Sequence, residues 1–350
     1  METFWFGAVA AMFTGWIVLD GFDLGAGAVH LWVARTDRER REVFAAIGPV
    51  WDGNEVWLVA GGGTLFFAFP QAYAAGFSGF YLPLMLVLWL LAGRALSIEL
   101  RSHLVHPLWR ALWDAIFSVS SGLLLVVLGA ALGNVLRGVP LGPDGWFHVP
   151  FFTDWRTGPH PGVLDWYTVL LGLFALAALS LHGALWLSLK TTGAVEERAA
   201  VLARGAFVAA LALGGLSALA THFVQPGLHL ALLGRPWSWP LIALAVGGFV
   251  ALASALLRPG ALSQSAALQR RAFLGSAAFL SGTLGATAAG AFPVLLRSSL
   301  GGAYHLTASV AASSPQGLRL GVYWWAAAFP LAMAWTVVAY RATRGKVAVQ

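Results

Sequence analysis

Cysteine is absent from this 350-residue sequence, which excludes disulfides, thiolate metal sites, iron–sulfur clusters and thioether-linked haem together. Any metal or haem would depend on His, Met or carboxylate ligands. Charge is almost as scarce, at 10% of residues against roughly 25% in an average soluble domain. So little polar surface excludes a water-soluble fold. Long hydrophilic stretches are missing too: the longest polar connection, Arg137 to Pro161, is rich in aromatics, Pro and Gly and leaves no room for an extramembrane enzyme. No low-complexity tract or sequence repeat stands out.

What fills the chain instead is apolar. Hydrophobic residues make up 59% of it, mean hydropathy is +0.75, and runs near the roughly 20 residues that cross a hydrocarbon core recur along its whole length. The predicted fold class is therefore all-α and polytopic, with about nine transmembrane helices. The spans are expected at Phe4–Val33, Val50–Phe69, Phe77–Leu96, Trp113–Leu136 and Val163–Leu187, followed by Ala206–Val224, Pro240–Leu257, Phe273–Leu296 and Gly321–Tyr340. The count suggests a four-helix bundle within 1–137, a second within 163–296 and one peripheral helix at 321–341.

A net charge of +6 does not point to nucleic acid, because the basic residues sit singly or in short clusters between apolar runs. With nine spans, sixteen of the 21 Lys and Arg residues fall on one side, from Arg35 through Arg258 to Lys346, and only Arg137, Arg156, Arg235, Arg297 and Arg319 on the other. The positive-inside rule makes the first side cytoplasmic, with the N-terminus outside and the C-terminus inside. Removing the second span, the weakest by composition, scrambles that separation.

Functional signal must lie in polar groups that hydrocarbon excludes. Asp20, Asp23, Asp52, Glu55, Glu99 and Asp114 all lie in or at the ends of the first four spans, and a carboxylate at membrane depth costs roughly 2.5–3.5 kcal/mol on insertion scales. Asp20 and Asp23 share a helix face through their i, i+3 spacing, and Asp52 and Glu55 repeat it. One reading is a proton-conducting cluster entered from the cytoplasm, with Arg94 and Arg101 tuning its charge. The other is that the acids pair with those arginines, or that Asp52 caps its helix. Spacing alone does not choose.

Gly21, Gly25, Gly27 and the run Gly61 to Gly63 are not followed by the Lys and Ser/Thr of a phosphate loop, so close helix packing explains them. Of nine histidines, His30 and His182 fall toward one side and could form one bis-imidazole pair. A lone intramembrane His more often bonds a neighbouring helix.

The stretches Asp20-Gly-Phe-Asp-Leu-Gly-Ala-Gly27, Gly48-Pro-Val-Trp-Asp-Gly-Asn-Glu-Val-Trp57 and Gly76-Phe-Ser-Gly-Phe-Tyr81 resemble signatures of subunit II of cytochrome bd-type quinol oxidases. Arg94, Glu99-Leu-Arg-Ser102, Gly133-Asn-Val-Leu-Arg-Gly-Val-Pro140, Phe292-Pro293 and Pro330 follow in the matching order. The resemblance implies a terminal oxidase of the bacterial or archaeal plasma membrane, taking electrons from quinol and reducing dioxygen to water. Haem d and two b-type haems would be carried by the partner, subunit I. This chain would support that subunit and supply a cytoplasmic proton route through Asp52, with Asp20, Asp23, Arg94, Glu99 and Arg101 nearby. Glu55 stands where the family pattern often has Gln. The resemblance also allows a small single-helix accessory subunit and a quinone or lipid bound in this chain. The rivals are a secondary transporter with intramembrane carboxylates, an independent cytochrome b and a purely structural subunit.

Overall fold

The computed structural model describes residues 1–257 and 265–347. Arg258, counted above on the basic side, lies outside the described residues. Among those described, twelve α-helices carry the fold: α1 Glu2–Val33, α2 Asp37–Ile47, α3 Trp51–Ala68, α4 Pro70–Gly79, α5 Tyr81–Leu100, α6 Pro107–Arg137, α7 Trp166–Lys190, α8 Gly193–Val224, α9 Pro226–Gly234, α10 Trp239–Leu256, α11 Ala266–Ala291 and α12 Pro315–Ala342. A two-stranded antiparallel ribbon, β1 Val294–Leu296 with β2 Leu306–Thr307, joins the last two.

Eight of these helices are long and apolar enough to cross a membrane. The second expected span, α3, is not among the eight. Its 18 residues rise roughly 27 Å at 1.5 Å each, but Asp52, Asn54 and Glu55 in its first turns lower its hydropathy. The eighth expected span, placed at Phe273–Leu296, instead ends as helix at Ala291. Pro293 forces Phe292 out of the helical region, and the next residues pair as β1. Conversely, α8 begins thirteen residues before the expected Ala206, because its first turns are polar and face the cluster around α2. The amphipathic α2 was not expected. Its start is a capping box, in which Glu39 N donates to Thr36 Oγ1 and Thr36 N to Glu39 Oε2.

α1 is the axis of the packing, touching α3, α6 and α7 along much of its length and α8 and α11 as well. The α1–α7 crossing depends on two glycines. A Cβ at Gly25 would run into the Leu179 carbonyl and the Gly183 nitrogen, and one at Gly183 into the Gly25 and Ala26 backbone. Backbones approach this closely only where side chains are missing. One end of the bundle is closed by the segment between α6 and α7: Val139 N donates to Arg297 O and Ser299 N to Val139 O. Leu141, Phe147 and Val149 pack there with Trp5, Phe69 and Leu318. α12 lies across the surface, and none of its 18-residue apolar core is buried in this chain.

Gly25→Ala is expected to lower the thermal unfolding midpoint of the detergent-solubilised protein, at about 1–3 kcal/mol for a forced backbone shift. Gly7→Ala, on the same helix with nothing near its Cβ position, is the control. Equal midpoints for the two variants would contradict the close crossing.

Candidate functional site

Asp20, Asp23 and Glu55 gather in one network and Asp37 and Asp114 in a second. In the first, Arg94 of α5 grips Asp20 of α1 with both terminal nitrogens, Nη2 to Oδ1 at 2.5 Å and Nη1 to Oδ2 at 3.1 Å. Trp16 Nε1, one turn away on α1, adds a third donor to Oδ2 at 3.0 Å. Glu55 of α3 reaches Arg94 from the other side, Oε2 to Nη1 at 3.6 Å, and the guanidinium lies 5.8 Å over the Trp51 ring. Asp20, Asp23 and Arg94 have no solvent exposure at all. Asp23 differs from Asp20 in its partners. Asn54 Nδ2 donates to its Oδ2 at 2.7 Å, and its Oδ1 has no partner among the described residues. Asn54 in turn accepts from the Tyr340 hydroxyl of α12 at 2.9 Å.

The helix spacing explains the assembly. Asp20 and Asp23 face together, Gly21 and its neighbours keep α7 close behind them, and α3 enters with Asn54 and Glu55 on successive residues, one buried and one at the edge. The result is one guanidinium among three carboxyl groups, with amide, indole and phenol donors around them. Such a cluster can take up and release protons without any metal. Among the described residues no group of three or more His, Cys, Asp or Glu could hold one.

The second network lies two helix turns further along both α1 and α5, roughly 10 Å at 1.5 Å per residue. Asp114 of α6 is its centre. It accepts from Arg101 Nε at 2.6 Å and Nη2 at 3.1 Å, bonds His30 Nε2 at 2.9 Å and accepts from Arg40 Nη1 at 2.9 Å. Asp37 of α2 joins Arg101 at 2.9 Å and Arg110 at 2.8 Å. Glu39 pairs with Arg198 at 2.5 Å. The hydrogen bond from Arg198, reinforced by the Arg35 and Thr36 amides, lowers its pKa to about 2. These bonds pin α2 beneath the bundle.

Of the sequence-derived site residues, Asp20, Asp23, Glu55 and Arg94 thus come together. Arg101 belongs to the second network. Asp52 and Glu99 stand exposed. Asp52 is one turn from Glu55 at the start of α3, and that helix starts without a side-chain cap bond. Sequence reasoning missed Asn54 and Tyr340. Asn54 was visible as an amide inside an apolar run. Tyr340 gave no signal, because an aromatic residue at a helix end also fits an interfacial belt.

His30 and His182 do not form a pair. His182 bonds Ser276 Oγ through Nδ1 at 2.6 Å and the Val18 carbonyl through Nε2 at 3.0 Å, and stacks on Phe273 at 4.8 Å. His30 is held by Asp114.

A family profile, cytochrome bd terminal oxidase subunit II, matches residues 1–343. A probable cytochrome oxidase subunit 2 of Haemophilus influenzae is 40% identical over 196 residues, 56% of this chain and 50% of that protein. Cytochrome bd-I ubiquinol oxidase subunit 2 of Escherichia coli is 36% identical over 224 residues, 64% of this chain and 57% of the relative. Cytochrome bd ubiquinol oxidase subunit 2 of Bacillus subtilis is 35% identical over 225 residues, 63% of this chain and 64% of the relative. The chain therefore spans about half to just under two thirds of the curated relatives it matches. In three dimensions it is similar to a chain of the bd oxidase from Geobacillus thermodenitrificans, with a TM-score of 0.73 over 96% of this chain and 97% of that one, at 17% identity. That likeness is one of fold.

Arg94→Leu leaves Asp20 buried without its cation and is expected to cost about 3–5 kcal/mol, read as a lower yield of folded protein after detergent extraction. The double variant Asp20→Leu/Arg94→Leu, which removes both charges, is expected to recover most of that loss. A single variant as stable as wild type would contradict the pairing.

Proposed function

The chain belongs to the cytochrome bd terminal oxidase subunit II family, and from that premise we propose that it serves a quinol:oxygen oxidoreductase complex by delivering cytoplasmic protons toward a haem-bearing partner. The observation that carries the reading is the gathering of Asp20, Asp23, Glu55 and Arg94 into one buried site, with Asp52 exposed one turn from Glu55. Oxygen reduction consumes four protons per dioxygen, and two quinols supply four electrons and release four protons. Uptake on one side and release on the other charges the membrane without a pump.

In this scheme Asp52 takes a proton at the open face of α3. Glu55 at the edge and the buried Asp23 lie beyond it, and Arg94 offsets the charge of Asp20, so that a proton arriving near the cluster meets one neutralised acid and two that are less fully paired. Glu99 stands exposed at the same end of α5 as Arg101, and both belong to the entrance rather than to the cluster. The proposed topology follows the distribution of Lys and Arg, with the N-terminus outside and the C-terminus cytoplasmic. The two bundles at 1–137 and 163–296, with the helix at 321–341 beside them, are part of the same proposal.

The family implies haems, and His30 and His182 do not fit them. His182 has both nitrogens engaged and His30 is bound to Asp114. The proposed place of haem d and the two b-type haems is subunit I. The large apolar surface of α12, with Tyr323 and Trp324 each 76% exposed and Trp335 68% exposed, supports contact with lipid or with that subunit. A small accessory subunit and a bound quinone or lipid remain compatible with the same surface.

Asp52→Asn, in a complex with normal haem content, is expected to reduce quinol oxidase turnover by about tenfold or more, since a lost proton-transfer group typically costs 10²–10⁴-fold. Full activity across pH would overturn the proposal.

A further inference from the structure

We propose that Tyr340 is a positioning residue for Asp23: its hydroxyl orients the Asn54 amide so that the amide nitrogen faces the Asp23 carboxyl group. This deepens the proton-delivery reading and rests on it. The chain of contacts is short, Tyr340 Oη to Asn54 Oδ1 at 2.9 Å and Asn54 Nδ2 to Asp23 Oδ2 at 2.7 Å. A side-chain amide has one donor end and one acceptor end. With the phenol donating to Oδ1, only the NH₂ end is left for Asp23. Were the amide to turn over, its oxygen would face a carboxyl oxygen, an arrangement that is favourable only when that carboxyl carries a proton. The orientation of Asn54 and the proton occupancy of Asp23 are therefore linked, and Tyr340 biases both.

Asp23 is sensitive to that bias because it has so little else. Asp20 accepts three hydrogen bonds, from Trp16 and from both Arg94 nitrogens. Asp23 accepts one, from Asn54, and its second oxygen is buried without a partner among the described residues. The ionisable groups around it are Asp20 on α1, Glu55 on α3, Arg94 on α5 and Tyr340 on α12. From the other helices packed on α1, α6 places Asp114 on His30, α7 places His182 on the Val18 carbonyl with Ser276 of α11 behind it, and α8 places Arg198 on the Val33 carbonyl.

The position of Tyr340 is itself built. α12 is otherwise exposed, yet the residues that follow it are tied down. Lys190 Nζ donates to the Thr343 and Gly345 carbonyls, Val347 N donates to Lys190 O at 2.7 Å, and Lys346 pairs with Glu196 at 2.7 Å. The Tyr340 ring is held edge-on by Phe22 and Trp186. A helix with almost no buried surface thus directs one hydroxyl into the acidic cluster.

The test is the pH dependence of quinol oxidase turnover in the complex purified through this chain. Tyr340→Phe keeps the ring and removes the donor. The amide is then free to turn toward a protonated acid, so the limb of the profile controlled by Asp23 is expected to move upward by about one pH unit, the effect of losing one hydrogen bond to a charged group. Asp23→Asn should remove that limb, and Tyr340→Phe in the Asp23→Asn background should change nothing further. A Tyr340→Phe profile identical to wild type, with Asp23→Asn altered, overturns the inference and leaves the proton-delivery reading standing. An Asp23→Asn profile identical to wild type overturns the role of Asp23 in that reading. If Tyr340→Phe does not assemble, Asn54→Leu must move the limb in the same direction, and an unmoved limb overturns the proposal.

Discussion

The buried pair of Asp20 and Arg94 is the constraint on which the rest of the first helices depends. Neither ion could stay in an apolar interior alone, since desolvation costs several kcal/mol for each even after relaxation. Satisfying both with two-pronged geometry fixes α1 and α5 at one relative depth. Once that depth is set, His30, ten residues past Asp20, and Arg101, seven past Arg94, both arrive at Asp114. α3 is then the helix that brings Glu55 to Arg94 and Asn54 to Asp23. The small residues on α1 allow α7 to close behind this cluster without pushing it apart.

Neutralising one acid leaves its neighbour in a different state of need. Asp20 is saturated with donors, and Asp23, three residues on, is nearly bare. Two carboxyl groups on the same helix face thereby differ in their partners, Asp20 accepting three hydrogen bonds and Asp23 one. This division follows from partner geometry and not from residue type. A buried ion pair is weak evidence for added stability; its use here is to fix where an underpartnered acid sits.

The fold was largely legible because apolar runs of membrane length are a strong signal, and the acids that gather into the cluster were legible because hydrocarbon excludes carboxylates. What was not legible came from long-range geometry. Arg101 and Arg94 look equivalent in sequence, but a seven-residue separation carries Arg101 two turns away, to Asp114. The helical end of Phe273–Leu296 was misplaced because Val294, Leu295 and Leu296 continue the apolar run past Pro293 and hydropathy does not register the break. Tyr340 could not have been found from its own neighbourhood, since its partner Asn54 lies 286 residues earlier.

The proposed delivery of protons requires that this chain work beside a haem-bearing subunit. The most direct measurement is purification from native membrane through a tag on this chain, followed by a reduced-minus-oxidised spectrum of the product. A larger membrane partner with b-type bands and a far-red haem d band is expected. Recovery of the chain alone, free of haem, would contradict it.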